Sequence, residues 1–181
     1  MTTAALPATA AGALRRLYFI RFGFAIAWAA GLALTAASLT PVSIALLVIY
    51  PLFDAVAAVV DFRTSDPTGP RAALGVNLTL SLATAVALAF AVASGIPAVL
   101  VTWGIWAIAA GVVQLIVAIR RYRLGGQWAM ILSGGLSTFA GTAFIFMSGS
   151  SSASLSALAG YATVGGIFFL VSAIRLGRKT S

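Results

Sequence analysis

Six runs of apolar residues, near 17–38, 41–62, 72–94, 97–119, 127–148 and 153–175, constrain this chain more than any other feature. Each is long enough to cross a hydrocarbon core of about 30 Å, which takes about 20 helical residues. Short breaks separate them: Ser38 to Pro41, Arg63 to Arg71, Ala93 to Pro97, Tyr122 to Gly126, and Ser148 to Ser152. The runs are too long and too uniformly apolar for barrel strands, which alternate over about ten residues. Helices, which satisfy their own backbone hydrogen bonds, are the expected spanning element. With 61% apolar and 8% charged residues, a soluble domain of this size could not hide its apolar side chains. The expected fold is an all-α, integral membrane six-helix bundle of three tandem hairpins, 17–62, 72–119 and 127–175. A loose cytoplasmic N-terminus, 1–16, and a basic tail, 176–181, would flank it.

The positive charges give the orientation. Arg15, Arg16 and Arg21 precede or open the first run. Arg63 and Arg71 lie between the second and third, and Arg120, Arg121 and Arg123 between the fourth and fifth. Arg175, Arg178 and Lys179 follow the sixth. All 11 fall on one side of a six-span topology. The positive-inside rule then predicts both termini in the cytoplasm and a multi-pass protein of the bacterial inner membrane. Met1 to Leu14 does not read as a signal peptide, because it lacks a basic start. The net charge of +8 is explained by topology, so no nucleic-acid partner is expected. Membrane lipid is the expected partner, with anionic headgroups attracted to the basic face.

The chain has no Cys and no His. That removes a zinc site, a haem histidine, an iron–sulfur cluster, a cysteine nucleophile and a Ser-His-Asp triad. No cofactor and no metal are expected. The carboxylates are Asp54, Asp61 and Asp66. An ionisable residue at membrane depth costs about 2.5–3.5 kcal/mol on insertion scales and is a functional candidate by default. Asp54 lies about 13 Å from Arg63 at ~1.5 Å per residue. Asp61 is seven residues on, on the same face, and Tyr50 is one turn the other way. Arg21 sits about 8 Å into the first helix, able to reach Asp54 or Asp61 or to snorkel back. Asn77 and Gln114 lie about 9 Å deep. Arg21, Asp54, Asn77 and Gln114 thus form a loose polar layer. Either Asp54 titrates within a proton- or ion-responsive site, or Arg21–Asp54 is a structural pair with Asn77 and Gln114 bonding across helices. Arg21 is the expected partner of Asp54.

Small residues recur four apart: Gly23, Ala27 and Gly31; Ala107 and Gly111; Ser133, Ser137 and Gly141; Ala162 and Gly166. These allow close helix packing within the chain, or a homo-oligomer contact. Trp103, Trp106, Trp128, Tyr18 and Tyr122 read as interface anchors.

Residues 106–120 (WAIAAGVVQLIVAIR) and 161–175 (YATVGGIFFLVSAIR) share six residues at an offset of 55. Ala107, Gly111, Leu115, Ala118, Ile119 and Arg120 recur as Ala162, Gly166, Leu170, Ala173, Ile174 and Arg175. The hairpins 72–123 and 127–178 are expected to superpose. Within 126–179, Trp128 opens a helix, Gly134 and Gly141 follow along it, and Gly160 to Gly166 precede a terminal basic cluster. This stretch resembles the repeat of the HdeD-like acid-resistance membrane proteins. Residues 71–123 fit it less well and 1–63 poorly. Pro41 and Pro97 match the outer-loop proline of that pattern, whereas Ser148 to Ser152 depart from it. The resemblance implies a non-enzymatic inner-membrane protein of six helices, linked to acid or envelope stress tolerance, and supplies no catalytic residue. The alternative is a small proton- or ion-linked transporter or channel using Asp54. An outer half carrying only Ser, Thr, Tyr and Trp as polar groups weighs against a path through the full thickness.

Overall fold

The computed structural model describes residues 8–65, 69–151 and 153–177. These form six helices: α1 (Ala8–Thr35), α2 (Pro41–Thr64), α3 (Arg71–Ala91), α4 (Ile96–Arg120), α5 (Gln127–Ser148) and α6 (Ser156–Gly177). Short 3₁₀ turns, Val92–Ser94 and Tyr122–Leu124, lead into α4 and α5. No strand occurs among the described residues. All six helices are long and apolar enough to cross a membrane, and the chain is an all-α, multi-pass membrane bundle.

Local sequence accounts for the helix ends. Thr40 caps α2 while Pro41 occupies its first turn. The Ser43 N–H donates to the Thr40 hydroxyl at 3.2 Å, and the Thr40 N–H donates back to the Ser43 hydroxyl at 2.7 Å. This reciprocal box satisfies two otherwise orphaned donors. Gly125 and Gly126, with φ of 82° and 70°, turn the chain into α5 through left-handed backbone that a Cβ would strain. The first helix begins at Ala8, well before residue 17. The segment ATAAGALRRL is rich in strong helix formers, so it extends the helix beyond the apolar run. Residues 1–7, Asp66 and the tail residues 178–181 lie outside the described residues.

The helices close into a ring in chain order, each packing on the next and α6 returning to α1. The most extensive contacts are α4 on α5, α1 on α6, and α2 on α3. Arginines stand at the junctions α2–α3 and α4–α5 and at the adjoining ends of α1 and α6, and we call this the charged end. The expected hairpins correspond to α1–α2, α3–α4 and α5–α6, the less extensive neighbours. Helices α2, α4 and α6 hold equivalent places in the ring, each packed broadly on the helix that follows it around the circle.

Glycine sets the closeness of α4 and α5. Gly104 faces Gly141, and Gly111 faces Gly134. A Cβ built on any of the four would stand 2.5–2.8 Å from the opposing glycine's carbonyl oxygen. The backbones therefore approach to a distance that no other residue permits. Outward, every helix presents apolar side chains, Leu34, Val56, Phe90, Ile105, Phe139 and Ile167 among them, as a lipid-facing surface requires.

The interior has three levels. Toward the end away from the arginines, Trp28, Leu32, Leu47, Leu88, Leu100, Trp103 and Leu158 form a continuous apolar core. At the charged end, Leu14, Tyr18, Met130, Phe169, Ala173 and Leu176 form a smaller one. Between them lies a polar level. Trp103, Trp106 and Tyr18 belong to this interior and not to the membrane interface: all three are buried, and Trp103 is fully so. Trp103 packs against Trp106, and Tyr18 against Phe169, inside the ring, where apolar contact outweighs the interfacial preference of an indole or phenol. Trp128 and Tyr122 are exposed near the charged end, with Arg175 stacked 4.5 Å over the Trp128 ring.

Candidate functional site

Asp54 is the centre of the polar level. It projects inward from the middle of α2, and its side chain is 8% exposed. Arg21 of α1 donates to its Oδ1. On α3, Asn77 Nδ2 and Ser81 Oγ donate to its Oδ2 at 2.7 and 2.8 Å. Trp106 of α4 donates its indole N–H to Ser81 Oγ at 3.2 Å. The Arg21 guanidinium lies 4.4 Å from the centre of the Phe169 ring on α6, a cation–π contact that helps hold the charge away from water. One carboxylate therefore ties α1, α2, α3 and α4 together, and Arg21 extends the tie to α6. Each partner reduces the cost of a charge at membrane depth.

Of the residues expected to form the polar layer, Arg21, Asp54 and Asn77 converge. Gln114 does not join them by a hydrogen bond. Its Nε2 donates to the Met130 carbonyl on α5 at 3.0 Å, although its side chain lines the same cavities. Ser81, not singled out in the sequence, and Trp106, expected as an interface anchor, complete the centre. Ser81 lies one turn beyond Asn77 on α3, a spacing that marks it as a neighbour on the same face.

Asp61 makes a second, separate centre. Arg121, just past the end of α4, donates Nη1 to Asp61 Oδ2 at 2.8 Å and Nη2 to Oδ1 at 2.7 Å. The same Nη2 donates to Ser65 Oγ at 2.6 Å. This bidentate fork is the strongest geometry available to an arginine–carboxylate pair. Burial alone would lower the Arg121 pKa, but the hydrogen bonds and charge of Asp61 outweigh it, so the guanidinium is held protonated more firmly than a free one. The topological reading of Arg121 is thus incomplete, since its side chain is buried.

Above Asp54, away from the charged end, an aromatic cluster fills the ring. Tyr50 packs between Trp28, Trp103 and Trp106, with ring centres 4.6, 5.5 and 5.9 Å away. Pro51 lies within α2 and cannot donate to the preceding turn. In that turn the Trp28 indole donates to the Leu46 carbonyl at 2.6 Å, pinning α1 to α2. On the other side of the ring, Ser137 and Tyr161 share a hydrogen bond between α5 and α6, and Ser137 also donates to the Ala107 carbonyl at 3.0 Å.

Two cavities flank the Arg21–Asp54 pair, of about 60 and about 70 Å³. Arg21, Asp54, Ala110, Gln114 and Phe169 wall both. The first extends past Tyr50, Ser133, Ser137 and Tyr161. The second extends past Asn77 and Tyr18 to Asp61 and Gln127, toward the charged end.

No known protein family, no curated protein and no solved structure matches this chain.

Proposed function

We propose that the chain is a non-enzymatic inner-membrane protein of the HdeD-like kind, with both termini in the cytoplasm, contributing to acid or envelope stress tolerance. The observation that carries this reading is the Asp54 centre, a single carboxylate on which donors from two other helices converge. Adding a proton to Asp54 removes the negative charge at which Arg21, Asn77 and Ser81 are aimed. It leaves Arg21 cationic in a low-dielectric interior, where an unpaired charge is costly. The other ionisable groups around the centre are Tyr50 on α2, Tyr161 on α6 and, toward the charged end, Tyr18 and the Asp61–Arg121 pair. None of these replaces that charge, so its loss would loosen the joint between helices. The likeness of residues 126–179 to the HdeD repeat supports the acid link, and the one-sided arginines support the orientation.

The partners we propose are lipids. Arg15 and Arg16 border an open groove with Phe19 and Ile20, a combination suited to an anionic headgroup and its first methylenes. Gly23 and Ala27 are exposed on α1, and this face would serve a homo-oligomer.

The test is Asp54→Asn, expressed to the same folded level as the parent, in an acid-survival assay. The expected result is loss of survival with no loss of folded protein. Survival that simply follows protein level would make the centre structural. A second reading, proton- or ion-linked transport, is favoured by the two cavities beside Asp54. In proteoliposomes it requires proton flux that Asp54→Asn abolishes.

A further inference from the structure

We propose that the two cavities form one water-filled half-channel, entered from the charged end and blind at the aromatic cluster, that brings water to Asp54. This goes beyond both functional readings, which concern what a proton on Asp54 would do, and stands whether or not either holds. Size comes first. At about 60 and about 70 Å³, each cavity has room for a few water molecules, whereas even benzene needs about 150 Å³. The shared walls at Ala110 and Gln114 make the two spaces neighbours around one ion pair.

Polarity comes second. A dry cavity in a protein is apolar, and a hydrated one offers each water two to four polar partners. Here the walls carry Arg21, Asp54, Asn77, Asp61, Gln114 and Gln127. Several groups in the two walls have no partner among the described residues. Among the described residues the Tyr50 and Ser133 hydroxyls make no hydrogen bond, Gln114 uses only its amide nitrogen, and Gln127, 1% exposed, has a carbonyl oxygen without a partner. Buried polar groups left so are expected to meet water.

Direction comes third. The second cavity reaches Gln127, the first residue of α5, and Asp61, within one turn of the end of α2. The arginine-bearing connections are therefore a turn away, and only the buried Asp61–Arg121 pair and the thin layer of Leu14, Tyr18 and Leu176 stand between them and the cavity. At the other end Leu32, Leu47, Leu88, Leu100 and Trp103 are fully buried against one another. Water at Asp54 thus communicates with one side of the membrane.

Because the chain has no cysteine, single cysteines can be placed without background. Ala110→Cys and Gln114→Cys report the half-channel, and Leu88→Cys reports the aromatic end. Arg123→Cys and Ser151→Cys mark the two sides. Sealed vesicles of both orientations, in chloride-free buffer, are treated with silver ion, a thiol reagent about the size of a water molecule that does not cross lipid. Thiols left over are then labelled with a dye after denaturation. The expected result is loss of dye labelling at Ala110→Cys and Gln114→Cys from the side that blocks Arg123→Cys, with labelling retained from the side that blocks Ser151→Cys. Leu88→Cys should keep its label in both orientations. Blocking from the Ser151 side, blocking from both sides, labelling retained from both sides, or blocking of the cavity thiols by a lipid-soluble maleimide alone would each overturn the proposal. Ala110→Cys is a change of one small buried residue for another, so the test survives a folding failure of Gln114→Cys.

Discussion

At the scale of single residues, the consequence of a charge inside a bilayer is that it takes its partner with it. Asp54→Leu leaves Arg21 without its carboxylate, and Arg21→Leu leaves Asp54 with only neutral donors. Each is expected to destabilise the protein by about 3 kcal/mol or more, while the double change to two leucines recovers much of the loss. Thermal melting of the two single variants and the double variant in detergent measures the coupling. Losses that add to within about 0.5 kcal/mol would mean that the pair is not a unit. This pairing was legible in the sequence because the energetics leave few options: Asp54 is too deep to stay unpaired, and Arg21 is the positive residue nearest its depth. Arg121 was not legible. It sits in the run Arg120–Arg121–Arg123, where topology alone accounts for every charge. Which of them turns inward depends on helical phase, since one residue rotates a side chain by about 100°. That rotation leaves Arg120 exposed and Arg121 buried.

Between elements, packing is set by what is missing from side chains. The expected small-residue spacing of four caught Gly111 and Gly141 but not the operative register, which is seven: Gly104 and Gly111 on α4 against Gly134 and Gly141 on α5. Gly111→Ala or Gly134→Ala forces a methyl group to within 2.8 Å of the opposing carbonyl. The helices must then separate, at an expected cost of about 1–3 kcal/mol. Gly135→Ala, next in sequence but with no heavy atom within 4 Å of its new Cβ, should be neutral or stabilise by up to ~1 kcal/mol through helix propensity. Melting temperatures of these variants check the contrast, and equal effects at Gly134 and Gly135 would refute the close approach. The burial of Trp103 and Trp106 could have been anticipated from depth. At ~1.5 Å per residue they stand about 10 and 15 Å in from Ile96, below the level at which interfacial rings sit. Ser81 was legible from its spacing of four from Asn77, whereas the order of the helices in the ring was not, because apolar helices carry little information about which neighbour they face.

For the molecule as a whole, side of exit is the first thing to measure. Reporter fusions at Ser181 and within residues 148–152 are expected to lie on opposite sides of the membrane, with Ser181 on the cytoplasmic side. The same side for both would undo the six-span arrangement. The closure of α6 onto α1 has a further consequence. Arg15 and Gly177 are in contact, so the last described turn of α6 rests on α1 about two turns inside its start. A circle of helices joined in this way has no seam imposed by the covalent chain. A linker from residue 177 to residue 11, with new termini cut between Tyr122 and Gly126, should therefore yield a permuted protein that inserts, melts cooperatively and keeps the Arg21–Asp54 pair. The order in which the ribosome delivers the six helices would change, and the finished circle would not.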